Sequence, residues 1–161
     1  MELWYMKLLH WWICSLFGGV GEKRDQVSWF QWRWSPDDIC SGNKQRTKLS
    51  FVGGYYYGFY DSLFKLNANC SCNYFPSQYL YFDIADIAAL IEPRPLIVQS
   101  GKDDYLAGER WRQNVLEPMK ELESVYSLFG KKNRLYHQIV PGPHHLEKDG
   151  LIERMERVCI D

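Results

Sequence analysis

Two short clusters in the second half of the chain carry side chains suited to proton chemistry: Ser100-Gly101-Lys102-Asp103-Asp104 and Gly142-Pro143-His144-His145. Each follows an apolar run, the acids first and the histidines second. Serine hydrolases use this pair of groups beside their nucleophile. The carboxylate orients the imidazole and stabilises its charged form, while the imidazole shuttles a proton between nucleophile and leaving group. Spacing alone leaves Asp103 and Asp104 interchangeable as the acid, and His144 and His145 as the base. It also leaves a plainer reading open, in which the acids are solvated loop residues and the histidines a turn pair.

For an acid and a base so far apart in sequence to meet, the runs before them must be neighbouring strands. Leu96 to Val98 reads as a buried strand, and Leu135 to Val140 as another. An earlier apolar run, Leu49 to Val52, ends at Gly53 and Gly54 as a strand entering a loop would, and an aromatic loop, Tyr55 to Tyr60, follows. Helical spacing puts Ile84, Ile87, Ala88 and Ile91 on one face, and Pro93 and Pro95 stop that helix. Between the second and third strands, Gly108 to Phe129 is amphipathic, placing Trp111, Val115, Met119, Leu122, Tyr126 and Phe129 toward a core. Pro118 is expected to kink or restart this helix, and Gly130 to cap it. Pro141 to His145 forms a turn, and Leu151 to Val158 a closing helix. Alternating strands and helices imply an α/β fold with a parallel sheet and crossover helices, whose functional groups gather in loops beyond the C-terminal strand ends.

The bulk properties narrow the partners. A net charge of −1 over 161 residues, with both signs interspersed, favours neither a nucleic acid nor an anionic membrane. A small neutral or weakly charged ligand fits better. The five cysteines, Cys14, Cys40, Cys70, Cys72 and Cys159, lack paired zinc-site spacing and are read as free thiols. No metal or other cofactor is expected. Leu8 to Phe17 faintly resembles a signal-peptide core, but it holds His10 and two tryptophans and has no clear cleavage site. It is also too short to span a bilayer. The compartment stays open, with the cytoplasm favoured over secretion.

Three ordered segments resemble a known family: Cys70-Ser71-Cys72-Asn73-Tyr74, then Phe82-Asp83-Ile84-Ala85-Asp86-Ile87-Ala88-Ala89-Leu90-Ile91, then Pro93-Arg94-Pro95-Leu96. They are similar to acetyl xylan esterase-like α/β-hydrolases, relatives of the dienelactone hydrolases. The likeness spans about Leu49 to Lys148 and includes the acid loop and the Gly-x-His loop in the family's order. It implies the C-terminal part of an α/β-hydrolase sheet, incomplete, since such a domain normally exceeds about 200 residues. It also implies an ester substrate, an acetylated sugar among the candidates. Carried over position by position, the catalytic acid falls on Asp104 and the histidine on His144. Arg94 is expected to pair with Asp83 or Asp86 and brace its loop.

The family's serine sits in Gly-x-Ser-x-Gly, a strained strand-to-helix turn upstream of the acid and the histidine. The 161 residues contain no such motif. Residues 1–48 differ in character from the rest: six of the seven tryptophans lie before residue 35, without helical or alternating periodicity. Tryptophan has one codon, TGG, and a frame displaced forward by one base turns each tryptophan into glycine. Trp29-Phe30-Gln31-Trp32-Arg33-Trp34 then admits Gly-Phe-Ser-Gly-Gly-Gly, an elbow where the family has one, and Asp37 to Cys40 can become Met-Ile-Phe-Ala. The displaced frame must begin after Met6-Lys7, whose junction would read TGA. Part of residues 7–48 is therefore read as translated out of frame. The competing reading is a genuine divergent segment packing aromatics over the sheet edge.

Three functional expectations follow. The ancestral reaction is hydrolysis of a carboxylic ester through an acyl-enzyme, with Asp104 and His144 as orienter and base and negligible turnover by the chain as written. Cys40 is an alternative nucleophile, though it lacks the glycine elbow. From a different class, the chain is a non-catalytic binding or interaction protein offering Tyr55 to Tyr60 as a sugar-stacking surface, or a gene remnant without function. Oligomeric state is left open.

Overall fold

The computed structural model describes residues 49–66 and 77–160. The tryptophan-rich segment, Cys14, Cys40, Cys70 and Cys72 lie outside that range, and with them the expectations about the nucleophile and the thiols. Within it, strand β1 (Ser50–Gly53), helix α1 (Ile84–Ala89), strand β2 (Leu96–Gly101), helix α2 (Trp111–Leu128), strand β3 (Leu135–Val140) and helix α3 (Leu151–Ile160) follow in turn. The strands form one parallel sheet in the order β1-β2-β3, with Ser50 opposite Leu96 and Leu96 opposite Leu135. Both connections contain a helix, as parallel neighbours require. This is a partial α/β fold with a parallel three-stranded sheet.

The alternation of side chains along the strands sorts the core into two layers. Val52, Leu96 and Val98 point to one face, where they pack with Ile84, Ala88 and Ile91 of the α1 region and Met119, Leu122 and Tyr126 of α2. Phe51 and Ile97 point to the other, against Leu151 and Met155 of α3. Helices therefore cover both faces, which is why β1 and β2 read as continuous apolar runs.

Helix starts and stops are chemically specified. Asp83 caps α1 in a reciprocal box: its side chain accepts from the Ile84 N–H, and its own N–H donates to Asp86. The Asp83 carboxylate also accepts from the Phe59 N–H at 2.8 Å, tying the segment after β1 to the helix. At the end of α2, Gly130 sits at φ +66°, Lys131 N–H reaches the Tyr126 carbonyl at 2.8 Å and Gly130 N–H the Ser127 carbonyl at 3.0 Å. That pair of bonds is a Schellman cap.

Four expectations need correction. Pro118 does not restart α2, which runs on from Trp111 to Leu128: lacking an N–H, it frees the Asn114 carbonyl, which accepts instead from Gly58 N–H at 2.9 Å. Phe129 does not face the core but is 62% exposed, because the cap turns the chain outward there. Arg94 does not pair with Asp83 or Asp86, whose carboxylates take backbone N–H groups; it donates to the Ile91 and Leu90 carbonyls at the end of the α1 turn. The aromatic run is not an open loop throughout: Tyr56, Tyr57 and Phe59 are buried, Tyr55 is half-buried, and Tyr60, 52% exposed, begins a single π-helical turn, Tyr60–Lys65.

Candidate functional site

The acid and histidine loops leave adjacent parallel strands at their C-terminal ends and are stitched together by main-chain bonds. Lys102 N–H donates to the Val140 carbonyl at 2.7 Å, and Asp103 N–H to the Gly142 carbonyl at 2.9 Å. Gly101 lies so close to the other loop that a Cβ there would approach the Pro143 carbonyl oxygen to 2.5 Å. Only glycine lets the two backbones meet.

Asp104 is 3% exposed and begins a short 3₁₀ turn, Tyr105–Ala107, accepting the Leu106 N–H at 3.0 Å through Oδ1. Its Oδ2 lies 2.8 Å from Nδ1 of His144. Asn114, reaching from α2, donates to the Ala107 carbonyl at 2.7 Å and to the Gly58 carbonyl at 2.9 Å, so one buried amide fixes both the acid turn and the segment after β1. The imidazole is also packed from the β1 side. Gly54, at φ +66°, carries no side chain where a Cβ would stand 2.7 Å from Cε1 of His144.

Asp103 and His145, the competing residues, are placed differently. The Asp103 side chain is exposed, and Nδ1 of His145 is bonded to the Pro143 carbonyl at 2.8 Å. The structure thus brings Asp104 and His144 together and leaves Asp103 and His145 apart. Ser100 is part of β2 rather than of the loop; its hydroxyl is 3.1 Å from Nε2 of His137, and burial pushes that imidazole down to about 4. The ring is half-buried, and this partial desolvation disfavours its charged form.

The hydrogen bond that Asp104 accepts raises the pKa of His144 above the ordinary histidine value, outweighing the opposing effect of burial. A carboxylate only accepts, so the neutral ring carries its proton on Nδ1 and keeps a lone pair on Nε2. The arrangement can therefore take a proton at Nε2 and stabilise the resulting cation through Asp104.

Gly54, which packs on His144, was read from sequence only as the end of a strand, and Asn114, which fixes the acid turn, and Gln99 of β2 were not singled out at all. Gln99, 1% exposed, interrupts the otherwise apolar start of β2, and an amide in such a run is the signal that it has a dedicated partner. Gly54 belongs to a glycine pair after a strand, and Asn114 lies on the inward face of an amphipathic helix.

Among the described residues, no group of three or more His, Cys, Asp or Glu side chains is arranged to hold a metal ion. No described helix is long and apolar enough to cross a membrane. Comparison of the sequence with protein-family models and with curated proteins returns no match.

Proposed function

We propose that Asp104 and His144 are the acid and base of a carboxylic ester hydrolase of the α/β-hydrolase kind, working through an acyl-enzyme, with an acetyl ester on a sugar as the substrate class. The observation that carries this reading is the 2.8 Å contact between a buried Asp104 carboxylate and Nδ1 of His144, at the C-terminal ends of adjacent parallel strands. In that role Asp104 fixes the tautomer and orientation of the ring, and Nε2 of His144 takes the proton of an attacking hydroxyl, then returns it to the leaving alcohol. The resemblance stated above supports the substrate class.

The nucleophile belongs, on this proposal, to the displaced reading of Trp29 to Trp34. The backbone N–H after that serine would form part of the oxyanion hole, so the chain as written lacks both and is expected to turn over esters negligibly. The nucleotide sequence across codons 7 to 50, reread from source DNA and translated in all three frames, tests this. A forward frame giving Gly-x-Ser-x-Gly there supports a serine hydrolase; a frame with stops or no serine removes that route.

A further inference from the structure

We infer that Gln99 is a positioning residue for His144, holding the far end of the histidine loop so that the ring stays in line with Asp104. The inference rests on the reading of Asp104 and His144 as an acid–base pair. Gln99 lies near the C-terminal end of β2, and its side-chain amide meets both main-chain polar groups of Glu147: Nε2 donates to the carbonyl at 3.0 Å and Oε1 accepts from the N–H at 2.8 Å. An amide that satisfies a residue in this way replaces the strand neighbour the loop does not have. The main chain of Gln99 also meets the segment after β1: its carbonyl accepts the Gly54 N–H at 2.8 Å and so helps set the glycine that packs on His144.

The loop is thus tied at both ends. Its start is held by the bonds from Lys102 to Val140 and from Asp103 to Gly142, and its end by Gln99 on Glu147; His144 stands between the ties. Packing alone does not account for a glutamine here, since methionine fills similar space without a buried amide to satisfy. Removing the amide leaves the Glu147 N–H and carbonyl without these bonds and frees the loop's exit, so the ring is no longer held against Oδ2 of Asp104.

The test is a histidine titration by NMR on the full chain, comparing wild type, Gln99→Met, Asp104→Asn and Ile91→Val. Ile91→Val is a control that trims the core beside α1 without touching the loop. The titration midpoint of His144 is expected to fall toward that of an unpartnered histidine in Gln99→Met and to stay in place in Ile91→Val. An unchanged midpoint in Gln99→Met overturns the inference, as does an equal fall in Ile91→Val, which would reduce Gln99 to a general stabiliser. If Asp104→Asn leaves the midpoint unmoved, the acid–base reading itself fails, a separate outcome. Amide exchange of Glu147 in the wild type covers the case in which Gln99→Met does not fold. Exchange about 100-fold slower than an unprotected amide is expected, and an unprotected rate overturns the inference.

Discussion

Replacing Asp104 with asparagine keeps the shape of the side chain and removes the anion beside the His144 ring. In the wild type the carboxylate accepts from Nδ1 at 2.8 Å while sharing its other oxygen with the Leu106 N–H. Asparagine can still accept that N–H, but the group facing Nδ1 becomes a donor, so the ring must move its proton to Nε2 or lose the bond. The cost depends on pH. Because the folded pKa of His144 is raised, the charged pair contributes its full stability below the ordinary histidine value of about 6.5, and that contribution is lost as pH rises through the folded value. A hydrogen bond to a charged group is worth about 1.5–3 kcal/mol and a neutral one about 1 kcal/mol. His144 is partly exposed, so about 2 kcal/mol is expected near pH 6, and a smaller cost near pH 9, where the contribution of the ring's charge is gone. Urea unfolding of both proteins at the two pH values gives the difference, and ¹⁵N shifts of the imidazole give the tautomer. A cost that is equal at both pH values, or larger at the higher one, refutes the reasoning.

Further outcomes follow from the same geometry. His137 is half-buried and desolvation pushes its pKa down to about 4, so the folded state loses stability as pH drops from about 6.5 to about 4, by up to about 3 kcal/mol; His137→Gln should flatten that dependence in urea melts. Gly54→Ala combines a positive φ with a Cβ against the imidazole and should cost about 1–3 kcal/mol while displacing His144, visible as a lowered Tm and a shifted His144 resonance. Burial would raise the pKa of Asp61, but hydrogen bonds from Lys65 and Arg110 outweigh it and hold the carboxyl below its ordinary value. Its stabilisation is therefore lost as pH falls through that lowered value, and in Asp61→Asn the fall in stability at acid pH should be shallower.

The first two strands were legible because a parallel sheet covered on both faces leaves apolar runs in the chain; Leu135 to Val140 coincides with β3, although that strand is largely half-exposed and carries His137 and Gln138. The first strand slips by one residue, from Leu49–Val52 to Ser50–Gly53, since a run that is apolar throughout does not mark which residue begins the ladder. Gly130 was readable as a cap because a left-handed position selects glycine locally. What failed was decided by backbone partners that leave no mark in the sequence. Arg94 meets the carbonyls of Leu90 and Ile91 close by, and Pro118 is tolerated because the distant Gly58 takes the freed carbonyl. The Asp104–His144 contact was legible from type and order, whereas the choice against Asp103 and His145 came from the resemblance. Gln99 and Asn114 went unnoticed because their partners, Glu147, Ala107 and Gly58, are backbone groups, which carry no mark in the sequence.

The most direct test is hydrolysis of an acetyl ester, p-nitrophenyl acetate first and an acetylated xylan oligomer second, by protein made with the forward frame restored across residues 29 to 34. The account predicts turnover in the restored protein, a fall of about 10³-fold or more in kcat for His144→Ala, and no measurable turnover by the chain as written. Turnover that survives His144→Ala undiminished, or equal activity in the chain as written, would contradict it.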